Sequence, residues 1–162
     1  MNLWRPAYVG IGSNLDDPPA RVRAALAALA ELPGARLIAS SSLWWSAPFG
    51  PVVQPDFCNA VAALLTTLEA REFFASLRGL ETRLGRTPPR ERWGPRRIDL
   101  DLLAFAGERS VYPDLVLPHP GIVERNFVLY PLAEIAPDLQ LPGLGRVAEL
   151  AARTSTQGIR RA

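Results

Sequence analysis

Two aspartates, Asp99 and Asp101, lie one residue apart in the stretch RWGPRRIDLDLLAF, interleaved with Ile98, Leu100 and Leu102. That alternation is the period of an extended strand. It sets both carboxylates on one face, their Cα atoms roughly 6.6 Å apart, and the aliphatic side chains on the other. Like charges so placed repel, and a shared proton, arginines or divalent cations relieve the repulsion. Hard Mg²⁺ takes one or two carboxylates and completes its shell with phosphate oxygens, and a pair of ions about 4 Å apart is an arrangement used for phosphoryl transfer. The bland alternative is a surface strand whose aspartates pair with Arg96 or Arg97, and an isolated D-x-D favours it.

The neighbouring residues shift that balance. From Arg83 to Arg97 the chain carries six arginines (83, 86, 90, 92, 96 and 97) against one acid, Glu91, in a loop with prolines and a Trp-Gly step. Arginine offers forked donors that match phosphate oxygens, so this loop reads either as a polyphosphate clamp or as a solvated stretch with surface ion pairs. All 18 basic residues are arginine. With no lysine there is no Walker A loop and no kinase strand lysine, so a bound phosphate has to be held by arginine, backbone amides or metal. His119, the only histidine, sits between prolines in LPHPGIVERNF; it is either structural or a hydrogen-bond donor to phosphate. Phe49, Phe57 and Phe127 with Asn59 would make an aromatic slot with one amide to read a heterocycle, if the fold brings them together.

These residues need elements to position them. AYVGIG (7–12) reads as a strand, and Asp16-Asp17-Pro18-Pro19 starts a helix in which Val22, Ala25, Leu26, Leu29 and Leu32 recur at helical spacing until Pro33-Gly34. RLIASSSLWW (36–45) reads as one strand, and SAPFGPVVQPD (46–56) is a proline-rich loop. FCNAVAALLTTL (57–68) is the next strand, with Phe57, Asn59 and Val61 on one face and Cys58, Ala60 and Ala62 on the other. A second helix over 70–85 runs through Phe73, Leu77, Leu80 and Leu84, with Gly85 as its cap. After the loop at 86–95 comes the aspartate strand. The order β α β β α β predicts an α+β domain with an antiparallel or mixed sheet. Further helices are expected at 126–137 and 147–153, and a loose tail from Thr154.

At 162 residues, 48% hydrophobic, the chain fits one domain spanning 1–162. Its apolar runs stop short of the roughly 18 residues of a membrane span, which points to a cytoplasmic protein without a membrane partner. A net charge of +2 is too small to indicate a nucleic-acid partner. Cys58, alone in an apolar run, is read as a small buried side chain.

Taken in order, YVGIGSNL, SAPFGPVVQPDFCNAV, RERWGPRRIDLDLLAF and LPHPGIVERNFVLYPLAEIAPDL resemble the 6-hydroxymethyl-7,8-dihydropterin pyrophosphokinase family over about residues 7–140. The resemblance implies a ferredoxin-like α/β/α sandwich that transfers pyrophosphate from ATP to the pterin's hydroxymethyl group in folate biosynthesis. Two Mg²⁺ ions would lie on Asp99 and Asp101. Arg86 and Arg96 match arginines acting on the triphosphate; Arg92, His119 and Arg125 match ATP-binding positions, and Leu102 one near the adenine. Phe57 and Phe127 match the stacking aromatics and Asn59 the amide that reads the ring. Ser46, Ala47 and Phe49 match the loop against the ring, Asp99 also reaches the pterin hydroxyl, and Trp93 lies in the loop that closes over the substrates. The resembling enzymes imply a monomer with small-molecule substrates only. Pro88 and Pro89 stand where relatives can carry basic residues, and Pro120 where some have tyrosine. Two rival readings remain at this point: an RNA-binding module, which would want aromatics where the aspartates stand, and another Mg²⁺-dependent transferase with a different acceptor.

Overall fold

Val9 and Ile11 alternate with Gly10 and Gly12, so the first strand has one face of side chains and one nearly bare. The computed structural model describes residues 3–86 and 94–162. In it β1 (Arg5–Ser13) is followed by α1 (Pro18–Ala30), β2 (Ala35–Ser40), β3 (Trp44–Ser46), β4 (Phe57–Thr66), α2 (Ala70–Arg83) and β5 (Asp99–Phe105). A hairpin of β6 (Ser110–Tyr112) and β7 (Leu115–Leu117), a 3-10 turn (Ile122–Glu124) and α3 (Asn126–Ile135) come next. The chain ends with β8 (Gln140–Leu141), β9 (Gly145–Arg146), α4 (Val147–Ala152) and β10 (Ile159–Arg161). The main sheet is antiparallel in the order β10-β3-β4-β1-β5, with β2 also paired to β4. The βαββαβ order of a ferredoxin-like core is therefore present.

The caps follow from the residues. Asp17 accepts a hydrogen bond from the Ala20 N–H at 3.4 Å with Pro18 in the first turn of α1, while Glu69 and Glu72 form a reciprocal capping box on α2. Beyond α2, Gly85 turns the chain at φ 93°, where a side chain would be strained. The two faces of the sheet build two cores. Val9, Ile11, Cys58, Ala60, Leu100 and Leu102 pack under α1 and α2 with Phe73 and Leu77; Val61 and Leu103 pack under α3 with Leu129 and Leu132. The split of β4 into two faces is as its alternation requires, and burial pushes the Cys58 thiol up to about 11, consistent with an inert packing role.

One irregularity decides how β5 divides its side chains. Val9 pairs with Leu102 and Tyr8 with Ala104, so Leu103 is an extra, bulged residue. Leu100 and Leu102 therefore face the α1/α2 core, Leu103 joins the α3 core, and Phe105 returns to the first core, 6.1 Å from Phe73.

Two expectations are corrected. The single strand expected over 36–45 is two, because the serines between them find other partners. Ser41 Oγ accepts from the Val61 N–H at 2.9 Å, and the Glu134 carboxylate on α3 takes both the Ser42 N–H and its hydroxyl, at 2.8 and 2.7 Å. Nor is the tail loose throughout, since residues 159–161 pair with β3 as β10. No helix among the described residues is long and apolar enough to cross a membrane.

Truncating Phe105 to alanine should destabilise the protein by about 3–5 kcal/mol in urea unfolding. A loss below about 1 kcal/mol would mean the Phe73–Phe105 contact is not part of a close-packed core.

Candidate active site

Register brings the chemistry together. Gly12 pairs with Asn59 of β4 on one side and with Asp99 of β5 on the other; Gly10 likewise stands between Val61 and Asp101. Asn59, Gly12 and Asp99 thus form one row across three strands, spanning two strand spacings or roughly 9.6 Å. A Cβ on Gly12 would lie 3.2 Å from Asn59 Oδ1 and 3.8 Å from the Phe57 ring, so the bare glycine keeps this floor open. The resulting cleft is lined by Phe57, Asn59, Asp99 and Asp101 from the sheet, by Ser46, Ala47 and Phe49 from β3 and the loop after it, and by Arg96, Arg125 and Phe127.

Asn59 is 4% exposed. Its Nδ2 donates to Ser46 Oγ at 2.7 Å and more weakly to the Phe57 carbonyl at 3.4 Å, which leaves Oδ1 as the acceptor facing the Gly12 floor. Phe49 meets Phe127 edge-on with ring centroids 5.6 Å apart. Phe127 heads α3, and Pro131 one turn later has no N–H to give its carbonyl.

Asp99 is held by two arginines: Arg86 Nη1 lies 2.9 Å from Oδ1 and Arg96 Nη1 3.1 Å from Oδ2. Arg97 pairs instead with Asp16 at 2.7 Å. Asp101 has weaker support, with Arg125 at 3.9 Å. Its side chain keeps 30% of its surface and lines the cleft, and burial among the surrounding residues dominates its titration. Burial, then the charge of Asp99, pushes Asp101 up to about 7, with Arg125 and Arg78 opposing. The two carboxylates are hard oxygen donors, and Asp101, with a single arginine at 3.9 Å, is the less firmly paired of the two. No third His, Cys, Asp or Glu completes a metal-binding group with them among the described residues. That donor set fits Mg²⁺ shared with phosphate oxygens better than a cation caged by protein alone.

His119 lies beside the cleft rather than in its lining. Its N–H donates to the Leu103 carbonyl at 2.8 Å, and its Nδ1 accepts from the Gly121 N–H at 3.1 Å, so Nε2 carries the proton. Burial, then the Arg125 charge, brings it down to about 4, which leaves a neutral ring with one free donor at neutral pH. The Leu102 side chain is 2% exposed in the α1/α2 core, on the face away from the aspartates, which leaves its main chain to offer a nucleotide. Arg92 and Trp93, with Pro88 and Pro89, lie outside the described residues.

Sequence reasoning missed four contributors. Glu81, 2% exposed, accepts from the Leu100 N–H at 2.8 Å and pairs with Arg78 at 3.0 Å and with Arg86. Its signal was present: an acid four residues after Leu77 and eight after Phe73, on the apolar face of α2. Asn14 has no periodic signal. Its Nδ2 donates to Gln54 Oε1 and the Pro55 carbonyl, both at 2.9 Å, while its Oδ1 accepts from the Arg96 N–H at 2.8 Å, joining two loops. Gly10 and Gly12 were visible as glycines at the strand period but were read only as part of a β-rich run.

The fold and cleft define an antiparallel α+β domain with an acidic pair, arginines and an aromatic slot on one open face of its sheet. The chain belongs to the 7,8-dihydro-6-hydroxymethylpterin-pyrophosphokinase (HPPK) family, whose model matches residues 8–137. It is 46% identical over 154 residues to the 2-amino-4-hydroxy-6-hydroxymethyldihydropteridine pyrophosphokinase of Pseudomonas aeruginosa, covering 95% of this chain and 94% of that one. The Haemophilus influenzae enzyme of the same name is 41% identical over 144 residues, 89% of each chain. Among solved structures, wild-type Plasmodium falciparum HPPK-DHPS with pteroate superposes with a TM-score of 0.73 at 13% identity, over 94% of this chain and 42% of that one. That likeness shows the fold.

The raised Asp101 has a thermodynamic consequence. The folded state holds a proton between about 4 and about 7 that the unfolded chain releases, so this group's contribution to stability falls as pH rises through that window. Without added metal, Asp101→Asn should therefore melt above the wild type by a margin that grows from pH 4 to 7 and levels off beyond. A margin independent of pH would contradict the raised value.

Proposed function

We propose that this chain transfers the β,γ-pyrophosphoryl group of ATP to the hydroxymethyl oxygen of 6-hydroxymethyl-7,8-dihydropterin, giving AMP and the pterin diphosphate used in folate biosynthesis. The observation that carries this reading, beside the family, is the row Asn59, Gly12, Asp99. An amide acceptor and a carboxylate two strand spacings apart, over a glycine floor, suit a fused two-ring heterocycle with a one-carbon arm.

In this reading Asn59 Oδ1 accepts from the ring's N–H edge, Phe57 and Phe127 stack on its faces, and Ser46, Ala47 and Phe49 close the side. Asp99 meets the hydroxyl at the far end. Two Mg²⁺ ions on Asp99 and Asp101, when bound with ATP, would screen the phosphates and polarise the β-phosphorus. Arg86 and Arg96, already beside Asp99, turn their forks to the triphosphate. Arg125 and the Nε2–H of His119 hold phosphate oxygens, and Leu102 meets the adenine through its main chain. Arg92 on the nucleotide and Trp93 on the closing loop complete the set, and closure excludes water. As the new O–P bond forms at the β-phosphorus, the bond to the α-phosphoryl oxygen breaks, the hydroxyl proton leaves, and AMP departs. The reading extends to a monomeric cytoplasmic enzyme that handles small molecules.

Chromatography of nucleotides after incubation with ATP, Mg²⁺ and the pterin should give AMP only when the pterin is present; ADP, or no pterin-dependent product, would overturn the assignment. Asp99→Ala and Asp101→Ala should each lower kcat by about a hundredfold or more, and full turnover in either would remove the two-ion arrangement. Asn59→Ala should weaken pterin binding about tenfold or more while nucleotide binding holds, and the opposite pattern would exchange the two subsites.

A further inference from the structure

The loop 47–56 that carries Phe49 is fastened at both ends to the C-terminal segment. At its start, the Ala47 N–H donates to the Gly158 carbonyl at 2.9 Å, immediately after Ser46, which pairs with Ile159 on one side and Phe57 on the other. At its end, the Asp56 carboxylate lies 3.4 Å from Arg160 Nη1. That ion pair is exposed and contributes little by itself; the main-chain bonds are the stronger constraint. The segment is anchored in turn to α3. The Asn126 amide donates to the Ser155 and Gln157 carbonyls, both at 2.9 Å, and the Tyr130 hydroxyl donates to the Thr154 carbonyl at 2.8 Å. Asn126 sits in the chain between Arg125 and Phe127, so the helix start that presents Phe127 also grips the segment that holds the loop whose Phe49 meets it.

We propose that residues 155–161 are a positioning element for the pterin subsite, acting through Ser46, Ala47 and the 47–56 loop; this rests on the functional reading above. β10 and β5 are the opposite edges of the sheet. Disturbing the segment therefore changes the wall around the heterocycle and leaves the arginine and carboxylate groups on the β5 side in place. Ser46 transmits the effect, because its hydroxyl is the acceptor that orients the Asn59 amide.

The test uses the full chain with two substitutions. Asn126→Asp removes both N–H donors and sets a carboxylate against two carbonyls, while suiting the first turn of a helix. Gly158→Val places a branched side chain at φ 72° and a Cβ 3.3 Å from that of Ala47. Calorimetry would give Kd for α,β-methylene-ATP with Mg²⁺, and Kd for the pterin with that analogue saturating. Each variant should raise the pterin Kd by about tenfold with the nucleotide Kd unchanged. An unchanged pterin Kd, or equal weakening of both ligands, would overturn the proposal, and Asn126→Asp decides it if Gly158→Val does not fold. A wild type that binds nucleotide but no pterin would instead remove the functional reading and this inference with it.

Discussion

Two carboxylates on one strand face, at the bottom of a cleft, repel each other and lose hydration together. The neighbouring structure answers that strain unequally. Asp99 has an arginine on each oxygen, whereas Asp101 has one guanidinium at a longer distance. The difference leaves one carboxylate neutralised by residues that can turn away and the other drawn toward any cation that arrives. Glu81 belongs to the same arrangement: buried beneath the strand edge, it ties Arg78 and Arg86 to the Leu100 N–H and so fixes where the arginines begin.

The bulge at Leu103 allows this charge pair to coexist with a core. Ahead of it, alternation sends aspartates to the cleft and leucines to the α1/α2 side. Leu103 still points to the α3 core as alternation requires, and past it the phase changes, so Ala104 joins that core and Phe105 turns to Phe73. The glycines of β1 serve the other half of the cleft, keeping the space between Asn59 and Asp99 at backbone level.

The loops around the cleft are joined through main-chain groups. Asn14 links the end of the 47–56 loop to Arg96, and Gly158 holds the beginning of the same loop. The two ends of that loop are thus held independently, its end beside Arg96 by a single buried asparagine and its beginning by the C-terminal segment.

Much was legible from local pattern. The aspartate alternation, the two faces of β4, the helix starting at Asp16-Asp17-Pro18-Pro19 and the one expected over 70–85 with its glycine end follow from periodicities of two and 3.6 and from the chemistry of Asp, Pro and Gly at helix ends. The sequence by itself therefore determined which residues share a face. It did not determine which faces meet. That Gly12 lies between Asn59 and Asp99 depends on strand register across 47 and 87 residues of chain, and that Ser41–Ser42 breaks a strand depends on Glu134 from a distant helix. The tail looked polar and loose because its partner is an edge of the sheet, visible only once β3 is in place. Tertiary structure decided these points because each is a hydrogen bond or charge contact between segments with no local signal for one another.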